Sequence, residues 1–543
     1  MCYNDQQEQI LEQRMNTEPL SPCAHSYPQG CCFATPADIA GKRVTVMGLG
    51  LNGGGEACVR YLVQHGAFVT VTDMKSERDL APTLASLHGD RSLDQSRIRY
   101  VLGCHRVEDF AEADCVIKNP GVKYDGNCYL AAARAIETDL SLFLHFTRAP
   151  IIAVTGSKGK SSTVSAIYYG LQQAGFTAFL GGNITVSPLT FLEQTDKTTP
   201  VVLELSSWQL ADLRGRKLLK PKIAVITKIV PDHQNFYHSM LAYVADKKLI
   251  YADQTKSDYT ILDFDDDASA DGGTLIENWG DIFAKETRAT VLRYSRKKLP
   301  PNVCGVWQDR KGNGIARLPA SASGVAVDGS MAAETVLTSL IVPGKHMRLN
   351  VLNAALVLRL MGVTAKRCIA VLGGWSGIEH RLEYFYEWRL SADADMSGGK
   401  ALCLRFYNDS AATVPEAAAE ATQAFGEPVI FITGGTDKGL DLAPVAQTLA
   451  HPRAIVPSAI YLLAGTATDK LRADFDERGI CYKGVFTSLD ELLSALKADI
   501  EARRGDFGVQ NVVFSPGATS FGMFANEFDR GRKFKAAVQR IFR

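Results

Sequence analysis

From Lys42 onward the chain alternates short apolar, β-rich runs with amphipathic stretches: KRVTVMG, GEACVRYLVQHG, FVTVTD and, later, DCVIKNPG. This rhythm predicts parallel strands joined by crossing helices. It resumes at Pro150, where IIAVTG, VVLELSS and KIAVITKI read as strands, SSTVSAIYYGLQQAG reads as a helix, and LNVLNAALVLRLMG reads as a closing helix. A third block opens near His380. There HRLEYFYEWR and ALCLRFYND read as strands around a Gly/Ser/Asp-rich loop, followed by TVPEAAAEATQAFG, PVIFITGG, AIYLLAG, DELLSALKADIEARRG and NVVFSPG. After Asp263 the segments DFDDDASADGG and PASASGVAVDGS read as surface insertions, and another insertion falls near Ser391. Residues 1–36 lack periodicity and are rich in Gln, Ser, Pro and Cys, the composition of a flexible tail. The expected domains are therefore 37–147, 148–377 and 378–543, after the 1–36 tail, with no sequence repeat among them.

A chain of 543 residues is too long for one core. Lys plus Arg and Asp plus Glu both number 59, and this balance excludes non-specific nucleic-acid binding as the main role. The twelve cysteines include no CxxC pair, and Cys31 and Cys32 are adjacent, so neither a disulfide framework nor a zinc site is expected. No apolar run approaches the ~18 residues that span a bilayer. The polar start MCYNDQQEQILEQRM is not a secretory signal. A cytoplasmic protein with no nucleic-acid and no membrane partner is expected.

The stretch VTGSKGKSST carries the first chemistry. Gly156 and Gly159 let backbone N–H groups approach phosphate oxygens, with Ser157, Lys158 and Ser162 completing the turn, and the helix that follows adds its positive end. Lys160 would reach terminal phosphates and Ser161 a Mg²⁺ ion, although the turn is shorter than the G-x-x-x-x-G-K-S form. Strand alternation places Glu204 and Ser206 on one face at the end of VVLELSS, where a carboxylate suits Mg²⁺. His233, after KIAVITKIV, is a second candidate ligand. GLGLNGGG with Asp73 further on also fits a dinucleotide site, and so an NAD-dependent oxidoreductase, but its glycine spacing differs and no hydride-transfer partner is apparent.

TGSKGKSST, ELSSWQL, DHQN and YVADKKLIY, in this order, resemble the central domain of the Mur ligase family, which joins an amino acid to a carboxylate using ATP. The resemblance implies a three-domain α/β fold: an N-terminal Rossmann-like domain, a central P-loop ATPase-like domain with a mostly parallel sheet, and a C-terminal Rossmann-like domain. It implies that Lys160 binds the β/γ-phosphates and that Ser161, Glu204 and His233 hold Mg²⁺. Lys247, one helical turn after Tyr243, matches the lysine that the family carbamoylates, with Lys248 as the competing register.

LNVLNAA resembles the adenine-side NxxNA, giving Asn350 and Asn353; GIEHRLE gives His380 and Arg381; Asp409 and Asn183 match further nucleotide positions. GLGLNG, VTD and KNPGV resemble the UDP-binding domain of the branch that adds D-glutamate to UDP-N-acetylmuramoyl-L-alanine, giving Leu51, Asn52, Asp73 and Gly121, with Asn183 and Ser206 on the same substrate. YNDSAAT, GGTDKG and SPGATSFGMFANEFDRG place Thr413, Lys438, Ser520 and Phe521 on the incoming amino acid. Ala411 stands where many such ligases carry Lys, Gly522 replaces an Asp, and Glu527 falls where an aromatic is frequent. The implied reaction passes through an acyl phosphate, in peptidoglycan precursor synthesis. Its partners are small molecules (ATP, D-glutamate and UDP-N-acetylmuramoyl-L-alanine), and a monomer is expected. Two other readings stand beside it: a Mur-type or folylpolyglutamate-type ligase for another amino acid such as L-glutamate, and a non-catalytic nucleotide-binding protein.

Overall fold

The computed structural model describes residues 33–265, 269–271, 274–276, 278–320, 332–390, 402–502 and 508–543. Residues 1–32 of the expected tail, and most of the expected insertions, lie outside the described residues. The chain forms two compact units, one of residues up to Thr338 with Leu349–Leu372, the other of Ser339–Arg348 and Gly373–Arg543.

The first unit holds two large sheets. In the N-terminal one, β1 (Arg43–Met47), β2 (Phe68–Asp73), β3 (Ile98–Leu102), β4 (Cys115–Lys118) and β5 (Ile136–Glu137) are ordered β3-β2-β1-β4-β5, and every pairing is parallel. The order reverses at β1, so a crevice opens outside the carboxyl ends of β1 and β4, where such sheets bind ligands. The second sheet starts with β6 (Ile151–Thr155), β7 (Phe179–Gly182), β8 (Val201–Glu204), β9 (Ile223–Ile226) and β10 (Tyr259–Asp263). A small antiparallel pair, β11 (Ser269–Asp271) and β12 (Thr274–Ile276), stands apart from it. The second sheet is completed by β13 (Thr290–Ser295), β14 (Gly305–Gln308), β15 (Gly314–Arg317) and β16 (Ala333–Leu337).

The order in this sheet is β16-β15-β14-β13-β10-β9-β6-β8-β7, parallel from β7 to β14 and antiparallel at β15 and β16. Strands β6, β8 and β9 are buried along their whole length, as both-face cover by helices requires. Between and after the two segments read as insertions, where the sequence reading named no strand, the chain contributes β13 to β16 to the main sheet. Those strands mix a few apolar residues with Thr, Arg, Gln or Glu (TVLRYS, GVWQ, GIAR, AETVL), so the apolar pattern marks them weakly.

The second unit is built on β17 (Glu383–Leu390), β18 (Leu402–Asn408), β19 (Ile430–Thr433), β20 (Ala459–Leu463), β21 (Val485–Phe486) and β22 (Val509–Phe514), ordered β17-β18-β22-β19-β20-β21. Only β17 runs antiparallel. Alternation splits its core in two: Phe406, Ile430, Ile432 and Phe514 face one helical layer, Tyr407, Val429, Phe431 and Val513 the other. The expected α/β class with mostly parallel sheets is what the chain forms. Among the described residues no helix is long and apolar enough to cross a membrane.

Leu203, fully buried in β8, holds the strand that carries Glu204. Leu203→Ala should cost ~2–5 kcal/mol, read as a lowered urea midpoint. Val456→Ala, at 57% exposure, should stay within ~0.5 kcal/mol.

Candidate active site

The strand β6 runs directly into the loop Gly156–Gly159, and the helix Lys160–Ala174 starts at its end with Gly159 as N-cap. Both glycines are sterically required. Gly156 has φ 143° and a Cβ there would stand 2.0 Å from Thr227 Oγ1; Gly159 has φ 92° and a Cβ would stand 2.5 Å from Asn350 Oδ1. Asn350, on the helix Lys345–Leu360, therefore stands at the phosphate loop itself, while Asn353 is buried with Oδ1 unpartnered. The amides of Ser157 (2.9 Å) and Lys158 (3.2 Å), expected to face phosphate, both donate to Lys228 O, and Ser157 Oγ donates to Val230 O at 2.8 Å. These bonds tie the loop to the exit of β9. The amides opening the helix, from Lys160 to Ser162, have no intrahelical acceptor by geometry and form the anion-binding end. Lys158 is exposed, 3.9 Å from Asp232.

Lys160 Nζ donates to Gly156 O at 2.9 Å and Ser157 O at 3.1 Å. Burial lowers its pKa, with Glu204 and Asp232 opposing. Lys247 ends the helix Met240–Lys247 and is 1% exposed. Its Nζ donates to the same Gly156 O at 2.8 Å and lies 4.5 Å from the centroid of the Tyr243 ring one turn earlier. Burial drives the Lys247 pKa well below the ordinary lysine value and Lys160 adds to the shift, against Asp232, Asp246 and Glu204. Tyr243 OH donates to Ser157 Oγ at 3.1 Å, locking this helix to the loop. Lys248 pairs instead with Glu286 at 2.5 Å, away from the Gly156 carbonyl that Lys247 meets.

Glu204, the last residue of β8, is 2% exposed. Its Oε1 accepts from Asn183 Nδ2 at 3.1 Å, and its Oε2 is buried with no hydrogen-bond partner. A buried carboxylate oxygen left without a donor is costly unless a cation meets it. By donor type alone, a carboxylate and a hydroxyl oxygen, the groups that Glu204 and Ser161 carry, are ligands that Mg²⁺ accepts. His233 has φ 53° before the short helix Gln234–Tyr237, with its ring 5.0 Å from that of Trp208. Ser206 departs from expectation. β8 ends at Glu204, so strand alternation does not reach Ser206. It caps the helix Ser207–Ala211, its Oγ accepting from Gln209 N at 3.2 Å while Gln209 Oε1 accepts from Ser206 N at 3.1 Å.

At the end of β2, Asp73 Oδ2 accepts from Gly50 N at 3.0 Å and Oδ1 from Lys75 N at 2.9 Å, which shapes the loop exposing Leu51 and Asn52. Gly121 N donates to Asn119 Oδ1 at 3.0 Å. Sequence reasoning missed Lys118. This lysine is 1% exposed, pairs with buried Asp212 at 3.0 Å, and donates to Asn119 O and Val122 O, both at 3.1 Å. It thereby fixes the Asn119–Val122 turn to the helix that follows Glu204. Burial pushes the Asp212 carboxyl up to about 6, with Lys118 opposing. The only sequence signal is a lysine closing the apolar run CVIK. Beside the pair, a cavity of about 250 Å³ is lined by Gly121, Lys123, Tyr124, Trp208, Asn235 and Phe236, among others.

In the second unit, buried His380 has φ 65°, its Nδ1 2.8 Å from Asn408 Nδ2, and Arg381 follows in the same turn. Asp409 Oδ2 accepts from Ser515 Oγ at 2.6 Å and Oδ1 from Leu382 N at 3.1 Å; burial raises its carboxyl to about 7. Glu379 and Glu383, which flank His380, both pair with Lys535, at 3.1 and 2.8 Å. Ser520 is buried, Thr413 half-buried, and Lys438 and Phe521 exposed, on turns that meet where Thr519 N donates to Thr436 O at 3.1 Å.

A glycine loop on strand tips, two lysines on one loop carbonyl and a half-satisfied buried carboxylate define a nucleotide-using α/β enzyme. Residues 154–358 match the Mur ligase middle domain, and residues 42–139 match the Mur ligase MurD-like N-terminal domain. The UDP-N-acetylmuramoylalanine–D-glutamate ligase of Treponema pallidum (strain Nichols) is 40% identical, over 93% of this chain and 98% of its own. That of Borreliella afzelii (strain PKo) is 36% identical, over 93% and 99%. The crystal structure of MurF ligase from Thermotoga maritima in complex with ADP is 16% identical and covers 95% of this chain and 98% of its own, with a TM-score of 0.45. The chain belongs to the Mur ligase family, and is an ATP-dependent ligase.

Lys118→Met strands the Asp212 carboxylate in the interior. It should cost ~3–5 kcal/mol of stability to urea, and adding Asp212→Leu should recover most of that.

Proposed function

We propose that this chain joins D-glutamate to UDP-N-acetylmuramoyl-L-alanine at the expense of ATP, in peptidoglycan precursor synthesis. The convergence of Lys160, Lys247 and the orphaned Glu204 oxygen around Gly156 carries the chemistry; near full-length identity to the Treponema and Borreliella ligases supports the substrates.

In this reading Lys160 leaves the loop carbonyls for the β/γ-phosphates, and the helix end holds their oxygens. Ser157, Lys158, Gly159 and Ser162 frame the phosphates; Asn350, Asn353, His380, Arg381 and Asp409 complete the nucleotide site. Leu51, Asn52, Asp73, Gly121, Asn183 and Ser206 bind the UDP-sugar substrate. Thr413, Lys438, Ser520 and Phe521 bind the amino acid. Ser161, Glu204, His233 and Lys247 would hold Mg²⁺, which neutralises phosphate charge when bound.

The substrate carboxylate oxygen bonds to the γ-phosphorus and ADP departs, leaving an acyl phosphate. The uncharged amine of glutamate then attacks the acyl carbon, the C–O bond to phosphate breaks, and the nitrogen gives up a proton. Such transfer needs positioning and charge neutralisation more than a protein nucleophile. Desolvation favours the uncharged form of Lys247, in which its nitrogen can add to CO₂ and lose a proton, forming a carbamate with the charge of a carboxylate.

The decisive assay is ATP-dependent phosphate release with UDP-N-acetylmuramoyl-L-alanine, offering D-glutamate, L-glutamate and other amino acids in turn. D-Glutamate should support turnover; release only with another amino acid would overturn the assignment. Lys160→Ala should lower kcat by at least on the order of 10²–10³-fold, and an unimpaired variant would remove the phosphate-loop role. Lys247→Ala should lose activity that added short-chain carboxylic acids partly restore, and no restoration would argue against a carbamate.

A further inference from the structure

Arg530 lies on the helix Glu527–Ile541 and is 1% exposed. Its Nη2 donates to Ser410 O at 2.9 Å, its Nε to Ser410 Oγ at 3.2 Å and its Nη1 to Ala518 O at 2.9 Å. These acceptors open two of the turns assigned to the amino acid: Ser410 leads to Thr413, and Ala518 leads to Ser520. The third turn is also in reach, since a Cβ on Gly435, in the turn leading to Lys438, would stand 3.7 Å from Arg530 Nη1. One guanidinium thus bonds two of the turns and lies beside the third.

Its charge is not cancelled. Among the described residues no carboxylate lies within ion-pair distance of Arg530, and its acceptors are two carbonyls and a hydroxyl. Burial pulls its pKa down to about 10, with Glu527 opposing, so it stays protonated at neutral pH. A buried cation held only by neutral dipoles is normally disfavoured. Its field is little screened at short range, unlike that of exposed Lys438. Ala411, next to Ser410, brings no cation of its own to the first turn.

We propose that Arg530 is a positioning residue that fixes two of the amino-acid-binding turns together beside the third, and that its uncancelled charge selects an amino acid with an anionic side chain. This rests on the D-glutamate reading above. It extends that reading from the residues that touch the substrate to the one beneath them.

The test compares kcat/KM for D-glutamate and for its uncharged isostere D-glutamine in the full chain, in Arg530→Met and in Arg530→Lys. In Arg530→Met the preference for glutamate should shrink by on the order of 10-fold, the effect of removing one nearby charge, with KM for ATP unchanged. Arg530→Lys keeps the charge but not the planar fork, so it should lower kcat for both amino acids while retaining the preference. An equal fall for both amino acids in Arg530→Met would overturn the selective role and leave only packing. If that variant does not fold, a loss of preference in Arg530→Lys, or wild-type kinetics there, would overturn the proposal. A wild-type chain that ignores D-glutamate altogether would instead sink the functional reading, and this inference with it.

Discussion

Two ammonium groups donate to one carbonyl oxygen, that of Gly156, from Lys160 at 2.9 Å and Lys247 at 2.8 Å. That arrangement depends on a backbone only glycine adopts, with Thr227 filling the space where a side chain would begin. Burial disfavours the charge on both, and Lys160 adds to the downward shift of Lys247, the more deeply buried of the two. The electrostatics of the site therefore follow from the shape of a single turn, held by bonds to Lys228 and Val230 at the exit of β9.

Around that turn the first unit buries more charge. Lys118 pairs with Asp212, Arg216 with Glu137, and Arg214 and Tyr237 both reach Asp246. Buried pairs of this kind contribute little net stability, yet each is expensive to break from one side. The first two join the N-terminal sheet to segments of the second sheet; the third lies wholly among those segments. Asp246 sits one residue before Lys247, so the bonds that orient Asp246 also orient the lysine. Stability and chemistry share residues here.

What could be read in the sequence was what lies close along the chain. The phosphate loop is contiguous, with an apolar strand before it and a helix after it. Glu204 ends an apolar run, and Lys247 is one helical turn from Tyr243. Ser206 was misjudged because alternation was extended past the end of β8, where a capping box takes over. Strands β13 to β16 escaped because their few apolar residues are mixed with polar and charged ones, unlike the continuous apolar runs of β6, β8 and β9. Lys118 and Arg530 were invisible for another reason: their partners are distant in sequence, and a lysine or arginine in a polar-looking motif does not announce that it will be buried.

Two deeply buried cations near the assigned substrates are of different kinds, and the difference is chemical. A lysine ammonium is a compact, strongly hydrated charge that burial readily discharges, which suits a position where a neutral nitrogen must react. A guanidinium spreads its charge, keeps its proton under the same desolvation and satisfies fixed acceptors with a planar fork. Lys247 sits against a single carbonyl and a ring, a setting that lets it become neutral. Arg530 meets three acceptors in two turns, a setting that keeps it charged and still. Exchanging the two residue types would fail at both places: arginine at 247 could not supply a neutral amine, and lysine at 530 could not hold the turns.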